Sequence, residues 1–164
     1  MQTGHAVTVS GRLSPVTRNV IVKLFARRGR HWQLVGRSRA HRAGRFRIRY
    51  QEHGVGSTRL RVSAIGPRLR PGYVPAGEVL GLAPSVASWY YDAGNTACGF
   101  HAWYGVANRT LPCGTKVTIR YGGRVVVATV DDRGPFIYGR SFDLNQNTAR
   151  ALGMYGVAQV LTSV

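Results

Sequence analysis

The chain has 164 residues, 44% of them hydrophobic, which excludes wholesale disorder and suits one large domain or two small ones. Its formal net charge is +17, and no stretch approaches the roughly 20 apolar residues that a membrane-spanning helix needs. The charge is lopsided, because residues 1–75 hold sixteen Lys/Arg against one acid, Glu52, while residues 76–164 hold seven against five acids.

That imbalance predicts two modules with different partners. Only Lys23 and Lys116 among the basic residues are lysines. A GC-rich genome explains the bias as well as selection for anion binding does. The opening Met1-Gln2-Thr3-Gly4-His5 lacks the basic and apolar regions of a signal peptide. The expectation is an intracellular chain or a mature fragment whose leader is absent.

Residues 5–65 read as strands. Val20, Val22 and Leu24 set a period of two, as do Trp32 and Leu34. Phe46, Ile48 and Tyr50 alternate with Arg45, Arg47 and Arg49, and Leu60, Val62 and Ala64 alternate with Arg59, Arg61 and Ser63. Such alternation gives one buried and one wet face. Turn signals at Ser14-Pro15, Arg28-Gly29-Arg30, Ala43-Gly44 and His53-Gly54-Val55-Gly56 separate the runs. Five or six short strands at this spacing predict an antiparallel, immunoglobulin-like β-sandwich over residues 1–75. If the Arg45–Arg49 and Arg59–Arg61 strands are neighbours, their arginines form a stripe suited to anionic wall polymers. No nucleic-acid motif accompanies it, so nucleic acid is not the expected partner.

Residues 76–86 read as a Pro/Gly linker, within a breaker-rich stretch holding Gly66, Pro67, Pro71, Gly72, Pro75, Gly77 and Pro84. Residues 87–164 form the second module. Lys116–Tyr121 and Arg124–Val130 are β-rich runs joined by Gly122-Gly123, a hairpin signal. Asn145 caps a short helix running to about Leu152, with Gly153 as its αL stop. Val157–Val164 reads as a closing strand.

Acids are scarce in the second module: Glu78, Asp92, Asp131, Asp132 and Asp143. Glycan cleavage needs a carboxyl group to protonate the leaving oxygen. Asp131 and Asp132 end a strand just before Arg133-Gly134-Pro135. Strand neighbours point to opposite faces, so only one of the pair is expected to face a cleft. A turn aspartate that satisfies backbone N–H groups is the plain alternative. Cys98 and Cys113 have 14 residues between them, and a disulfide or two buried thiols both fit. A zinc site is not expected, since only His101 lies near the cysteines.

Six motifs then appear in order: Ala87-Ser88-Trp89-Tyr90, Thr96-Ala97-Cys98-Gly99, Arg109-Thr110-Leu111-Pro112-Cys113-Gly114-Thr115, Asp132-Arg133-Gly134-Pro135-Phe136, Gly139-Arg140-Ser141-Phe142-Asp143-Leu144 and Ala151-Leu152-Gly153. Together they resemble the rare lipoprotein A (RlpA) family of cell-wall proteins over residues 87–164. The resemblance implies a six-stranded double-psi β-barrel with a short helix, a fold shared with expansins and barwin-type domains. It implies a secreted or wall-associated protein acting on peptidoglycan glycan strands, in some members as a lytic transglycosylase, with no cofactor or metal. It implies a Cys98–Cys113 disulfide, as in the actinobacterial version of the domain. The family's key aspartate corresponds to Asp132, and the aspartate of the expansins' Phe-Asp-Leu segment to Asp143, with Asp131 standing apart. Trp89, Tyr90, Asn108, Arg133, Phe136 and Tyr138 are the implied substrate contacts, although Trp89 or Phe136 also suits a core position. Two departures stand out. No glutamate follows the Thr96–Gly99 segment, and Asn108 occupies the place of a family histidine. The implied function is thus a lytic transglycosylase or a non-catalytic, expansin-like module that loosens or binds the wall.

Overall fold

The computed structural model describes residues 1–14, 20–66, 69–70, 72–92 and 94–164; Pro15, Pro67 and Pro71, read above as turn and linker residues, lie outside them. The chain divides into two compact units, one of residues 3–81 with Met1 and one of residues 82–164 with Gln2.

The N-terminal unit is sandwich-like. Strand β1 (Ala6–Arg12) pairs antiparallel with β4 (Arg45–Gln51) as a two-stranded sheet. Strands β2 (Ile21–Arg28), β3 (His31–Arg39), β5 (Gly56–Ile65) and β6 (Val74–Gly81) form an antiparallel sheet in the order β3-β2-β5-β6. The period of two explains the packing. Val22, Leu24 and Ala26 of β2 and Leu60 of β5 are buried in one core with Phe46, Ile48 and Tyr50 of β4. Each such aliphatic or aromatic side chain contributes about 1.5–3 kcal/mol when removed from water.

Three expectations change. Residues 76–86 are not a linker: they lie in β6 and in β7 (Ala83–Tyr90), and only Leu82 separates the two strands. Their one proline, Pro84, fits because strands admit proline near their ends and where no ladder donor is required. The arginine stripe also divides. β4 pairs only with β1, and β5 lies between β2 and β6, so Arg45, Arg47 and Arg49 sit on a different sheet from Arg59 and Arg61. Lastly, Trp32 and Leu34 alternate as read but face outward. They register with Arg27 and Phe25, the residues of β2 that alternate with its buried set.

The one acid of the first 75 residues is its buried polar centre. Glu52 is fully buried. Its Oε2 accepts a 2.6 Å hydrogen bond from the Tyr50 hydroxyl, and Oε1 accepts from the Gly54 N–H at 2.8 Å and Arg28 Nη2 at 3.0 Å. Burial alone would raise the Glu52 pKa, but these donors outweigh it and hold the carboxyl at about 2. Burial and the Glu52 bond push the Tyr50 phenol up to about 12.

The C-terminal unit is a closed barrel. Its strands are β7, β8 (Gly105–Ala107), β9 (Lys116–Tyr121), β10 (Arg124–Asp132), β11 (Phe142–Asn145) and β12 (Ala158–Thr162), in the order β10-β8-β11-β7-β12-β9. β8 with β10 and β7 with β11 run parallel, and the other neighbours are antiparallel. This is the double-psi arrangement expected from the motifs. Val106, Val117, Ile119, Ala128, Val130 and Leu144 are fully buried within it. Helix α1 (Gln146–Leu152) packs Ala149 and Leu152 into the same core. Its caps are those read from sequence: Asn145 accepts from the Thr148 N–H, and Gly153 takes the left-handed conformation at φ 68°.

The Glu52 pKa is depressed, so its stabilisation is complete above the unfolded value of about 4.5 and is lost as pH falls towards 2. An acid titration of the N-terminal core, followed by near-UV circular dichroism, should show a loss of stability in that window. Glu52→Gln should flatten the dependence and cost about 1–3 kcal/mol at neutral pH.

Candidate functional site

The site begins with an irregularity at the end of β10. Val130 pairs with Val106 and Asp132 with Ala107, so Asp131 is one residue extra on its strand. A bulge of this kind re-aims the side chains beside it. Without it, Asp132 would share the inward face of Val130. With it, Asp132 is half-buried and Asp131 fully buried.

Both aspartates hold the long loop between β7 and β8. Asp132 Oδ1 accepts 2.8 Å hydrogen bonds from the N–H groups of Ala97 and Arg133. Asp131 Oδ2 accepts from the Ala102 N–H at 2.8 Å, and its backbone carbonyl accepts from the Cys98 N–H at 3.3 Å. Asp131 therefore does not stand apart as expected: the bulge turns both carboxylates to one loop. Gly105 is required beneath it, because a Cβ there would lie 2.2 Å from Asp131 Oδ2.

Asp143 arrives from β11, opposite Ser88 of β7 and Ala107 of β8. It is half-buried, and burial raises its pKa, with the negative charge of Asp132 adding to the shift while Ser88 and Arg140 oppose it. Burial likewise raises the Asp131 carboxyl, helped by Asp92 and opposed by the Ala102 N–H. The Tyr90 phenol is pushed far above its ordinary range by burial and then by Asp131, Asp92, Asp132 and Asp143. Tyr90 thus sits in the field of four carboxylates. Tyr90 Oη, Ser88 Oγ, Asp143 Oδ1 and Asp131 Oδ1 are all buried without a hydrogen-bond partner. Among the described residues no cluster of His, Cys, Asp and Glu has metal-binding geometry.

The other expected contacts divide. Arg133 lies beside the disulfide, with Nη2 3.0 Å from Cys113 Sγ and Nη1 donating to the Asn108 carbonyl at 3.1 Å. Asn108 is buried and committed. Its amide donates to the Ser141 carbonyl at 3.0 Å and accepts from the Thr110 and Leu111 N–H groups at 3.0 and 2.8 Å. The amide braces the loop before β9 and is not turned to a ligand, since a short polar side chain readily bonds the backbone two or three residues on. Trp89 is 43% exposed, Phe136 81% and Tyr138 fully exposed, so neither Trp89 nor Phe136 is a core residue. Trp103 and Tyr91 are exposed as well. No hydrogen bond joins these rings to the carboxylates among the described residues. Sequence reasoning passed over Ser88 as a site residue, and only its register with Asp143 reveals it.

Cys98 and Cys113 are disulfide-bonded, with Cα atoms 5.8 Å apart. The bond ties the β7–β8 loop to the segment before β9. His101 Nδ1 lies 3.1 Å from Asp92 Oδ2 and fixes the same loop from its outer side.

Comparison with known proteins bears on the barrel as a whole. Residues 83–162 match the family model described as lytic transglycolase. A Synechocystis sp. protein named "Probable endolytic peptidoglycan transglycosylase RlpA" is 37% identical over 99 residues, which is 54% of this chain and 31% of that protein. An Aquifex aeolicus protein of the same name is 40% identical over 77 residues, 42% of this chain and 34% of its own. A Nostoc sp. protein of that name is 50% identical over 52 residues, 30% of this chain and 14% of its own. The matches thus span about a third or less of these relatives.

Thiol titration of the denatured, unreduced protein should find no free thiol. Replacing both cysteines by serine should lower the stability of the barrel by about 3 kcal/mol, the entropy expected for a closed loop of this size. Chemical denaturation of the two forms gives the comparison.

Proposed function

We propose, from the premise that residues 83–162 belong to the RlpA-like family of double-psi β-barrels, that this protein acts on peptidoglycan glycan strands as a lytic transglycosylase. Asp132 is the acid/base and Asp143 its charged neighbour. The observation that carries the reading is the place of Asp132, half-buried at the end of β10 with Oδ1 held by two backbone N–H groups and its charge bearing on Asp143. The exposed rings of Trp89, Phe136 and Tyr138 supply apolar faces for the C–H surfaces of successive sugars.

A carboxyl group of the Asp132 and Asp143 pair supplies the acid proton, and burial and the negative charge of Asp132 raise the pKa of Asp143. In the reaction that proton goes to the glycosidic oxygen as its bond to C1 breaks. The 6-hydroxyl of the same sugar closes on C1 to form the anhydro ring. The hydroxyl proton returns to the carboxylate, which restores the starting state. No water is activated, so one carboxyl group serves as acid and then as base. Asp132 Oδ1 is held by two backbone N–H groups, and Oδ2 receives no hydrogen bond among the described residues.

One observation favours a second reading. The family histidine's place is taken by Asn108, whose amide is spent on the backbone, and no glutamate stands in the β7–β8 loop. An expansin-like module that grips glycan in the same cleft without cutting it needs neither residue.

The N-terminal unit holds anionic wall polymers by its charge in this reading. Its strand pairing supports an immunoglobulin-type sandwich: β1 with β4 matches the B–E pair, and β3-β2-β5-β6 matches the C′-C-F-G sheet. A disulfide is the bond of an exporting pathway, which fits a secreted or wall-associated protein.

Incubation with purified glycan strands followed by mass spectrometry separates the readings. Anhydro-ended fragments are expected, and Asp132→Asn should abolish them while leaving the fold and most glycan binding in place. Intact strands with measurable binding would identify the gripping module. An Asp132→Asn protein as active as the parent would exclude Asp132 as the acid/base.

Cleavage requires the protonated pair, so its rate should fall as pH rises through the raised pKa. Asp143→Asn removes the group whose pKa burial and Asp132 raise, and should take that alkaline limb away. A pH–rate profile of the two proteins checks the sign.

A further inference from the structure

The outward face of the β3-β2-β5-β6 sheet carries a cavity of about 460 Å³, lined by Arg27, Trp32, Arg59, Arg61, Tyr73 and Glu78 among others. Its floor is a stacked guanidinium. Arg61 Cζ lies 4.1 Å from the Trp32 ring centroid and 3.6 Å from that of Tyr73, over the face of each. Phe25 braces Tyr73 edge-on at 5.6 Å. Arg61 makes no hydrogen bond among the described residues, and its Nε is buried without a partner. No carboxylate lies within ion-pair distance of Arg27, Arg59 or Arg61 among those residues; Glu78, opposite Arg59 in the strand register, is bonded to the Ser57 hydroxyl.

We propose that this cavity is an oxyanion site in which Arg61 receives the carboxylate or phosphate group of an anionic saccharide polymer. The proposal rests on the reading of the N-terminal unit as a binder of anionic wall polymers and names the place where the contact is made. A guanidinium held flat against aromatic faces keeps its fork of N–H donors in one plane, and its rotamer freedom is already lost in the fold. That is the condition for bidentate recognition of an oxyanion. Arg27 and Arg59 on either side add charge that draws the polymer in. Proteins that grip single-stranded nucleic acid leave aromatic faces open for bases to stack on. Here Arg61 covers a face of both Trp32 and Tyr73, which favours a saccharide polymer over nucleic acid.

The test uses the full chain against three probes: polygalacturonate for the carboxylate, a phosphorylated dextran for the phosphate, and single-stranded DNA. Affinities are measured at low salt and at about 0.3 M salt, where exposed charges are well screened. The parent should bind at least one of the first two more tightly than DNA, and the preferred arm identifies the group. Arg61→Lys keeps the charge but loses the fork, and should weaken that binding about tenfold at both salt levels. Replacing Arg45, Arg47 and Arg49 by serine should weaken binding at low salt and match the parent at high salt. Arg27→Gln with Arg59→Gln touches only rim residues, and should weaken binding about threefold even if Arg61→Lys does not fold. Arg61→Lys binding as tightly as the parent overturns the site, as does an unaffected Arg27/Arg59 pair. A preference for DNA overturns it as well. A parent that binds no anionic polymer overturns the wider reading of the unit too.

Discussion

The extra residue at Asp131 is the constraint on which the barrel's site depends. Parallel pairing of β10 with β8 brings the end of β10 to the wall of the barrel, and period-two geometry would then send Asp132 inward with Val130. The bulge breaks that period at the rim. Asp131 becomes a fully buried carboxyl that holds the loop at Ala102, and Asp132 becomes a half-buried one that holds it at Ala97. The glycine at position 105 is the steric counterpart, since only a residue without Cβ admits the Asp131 carboxylate against β8. The disulfide and the His101–Asp92 contact fasten the same loop at other points. The described residues of the β7–β8 loop are thereby tied to the barrel at several points.

The acids show how scarcity of charge becomes concentration of charge. Asp92, Asp131, Asp132 and Asp143 come from three separate stretches of sequence, and all of them bear on the Tyr90 phenol. Burial raises the carboxyls of Asp131 and Asp143, and each is raised further by another acid. A fold gains no stability from gathering like charges beneath a loop. Structural burial of a single aspartate is explained by its backbone bonds. The gathering fits the proposed function, in which a proton is held on a carboxyl group.

The fold was largely legible because its signals are local. The Gly122-Gly123 hairpin, the Asn145 cap and the Gly153 stop each follow from one or a few residues, and all three stand where read. The strands of the N-terminal unit were legible for the same reason, through the alternation of Phe46, Ile48 and Tyr50 with arginines. What was not legible is which strand pairs with which. β4 and β5 are consecutive in sequence yet lie in different sheets, so a stripe inferred from adjacency dissolved into two separate faces. The breaker-rich stretch of residues 76–86 misled in another way. Proline and glycine mark turns by frequency, but β6 and β7 accommodate them within ladders. At the site, the aspartates were visible as residue types, while the bulge that orients them has no signature in one sequence.

Asn108 bears on whether departures from a family pattern mean loss of function. The residue stands where the resemblance to the RlpA family implies a histidine, and its side chain is consumed by Ser141, Thr110 and Leu111. A histidine has no amide with which to accept two backbone N–H bonds while donating a third. The loop before β9 is therefore held here by a different device, and its tip is further fixed by Arg133 against the disulfide. The position has been given over to rigidity. Under the proposed function, that trade leaves the carboxylates to act alone or the module to grip without reacting. In both cases the geometry of Asp132 must be kept, and the two backbone N–H bonds to its Oδ1 keep it.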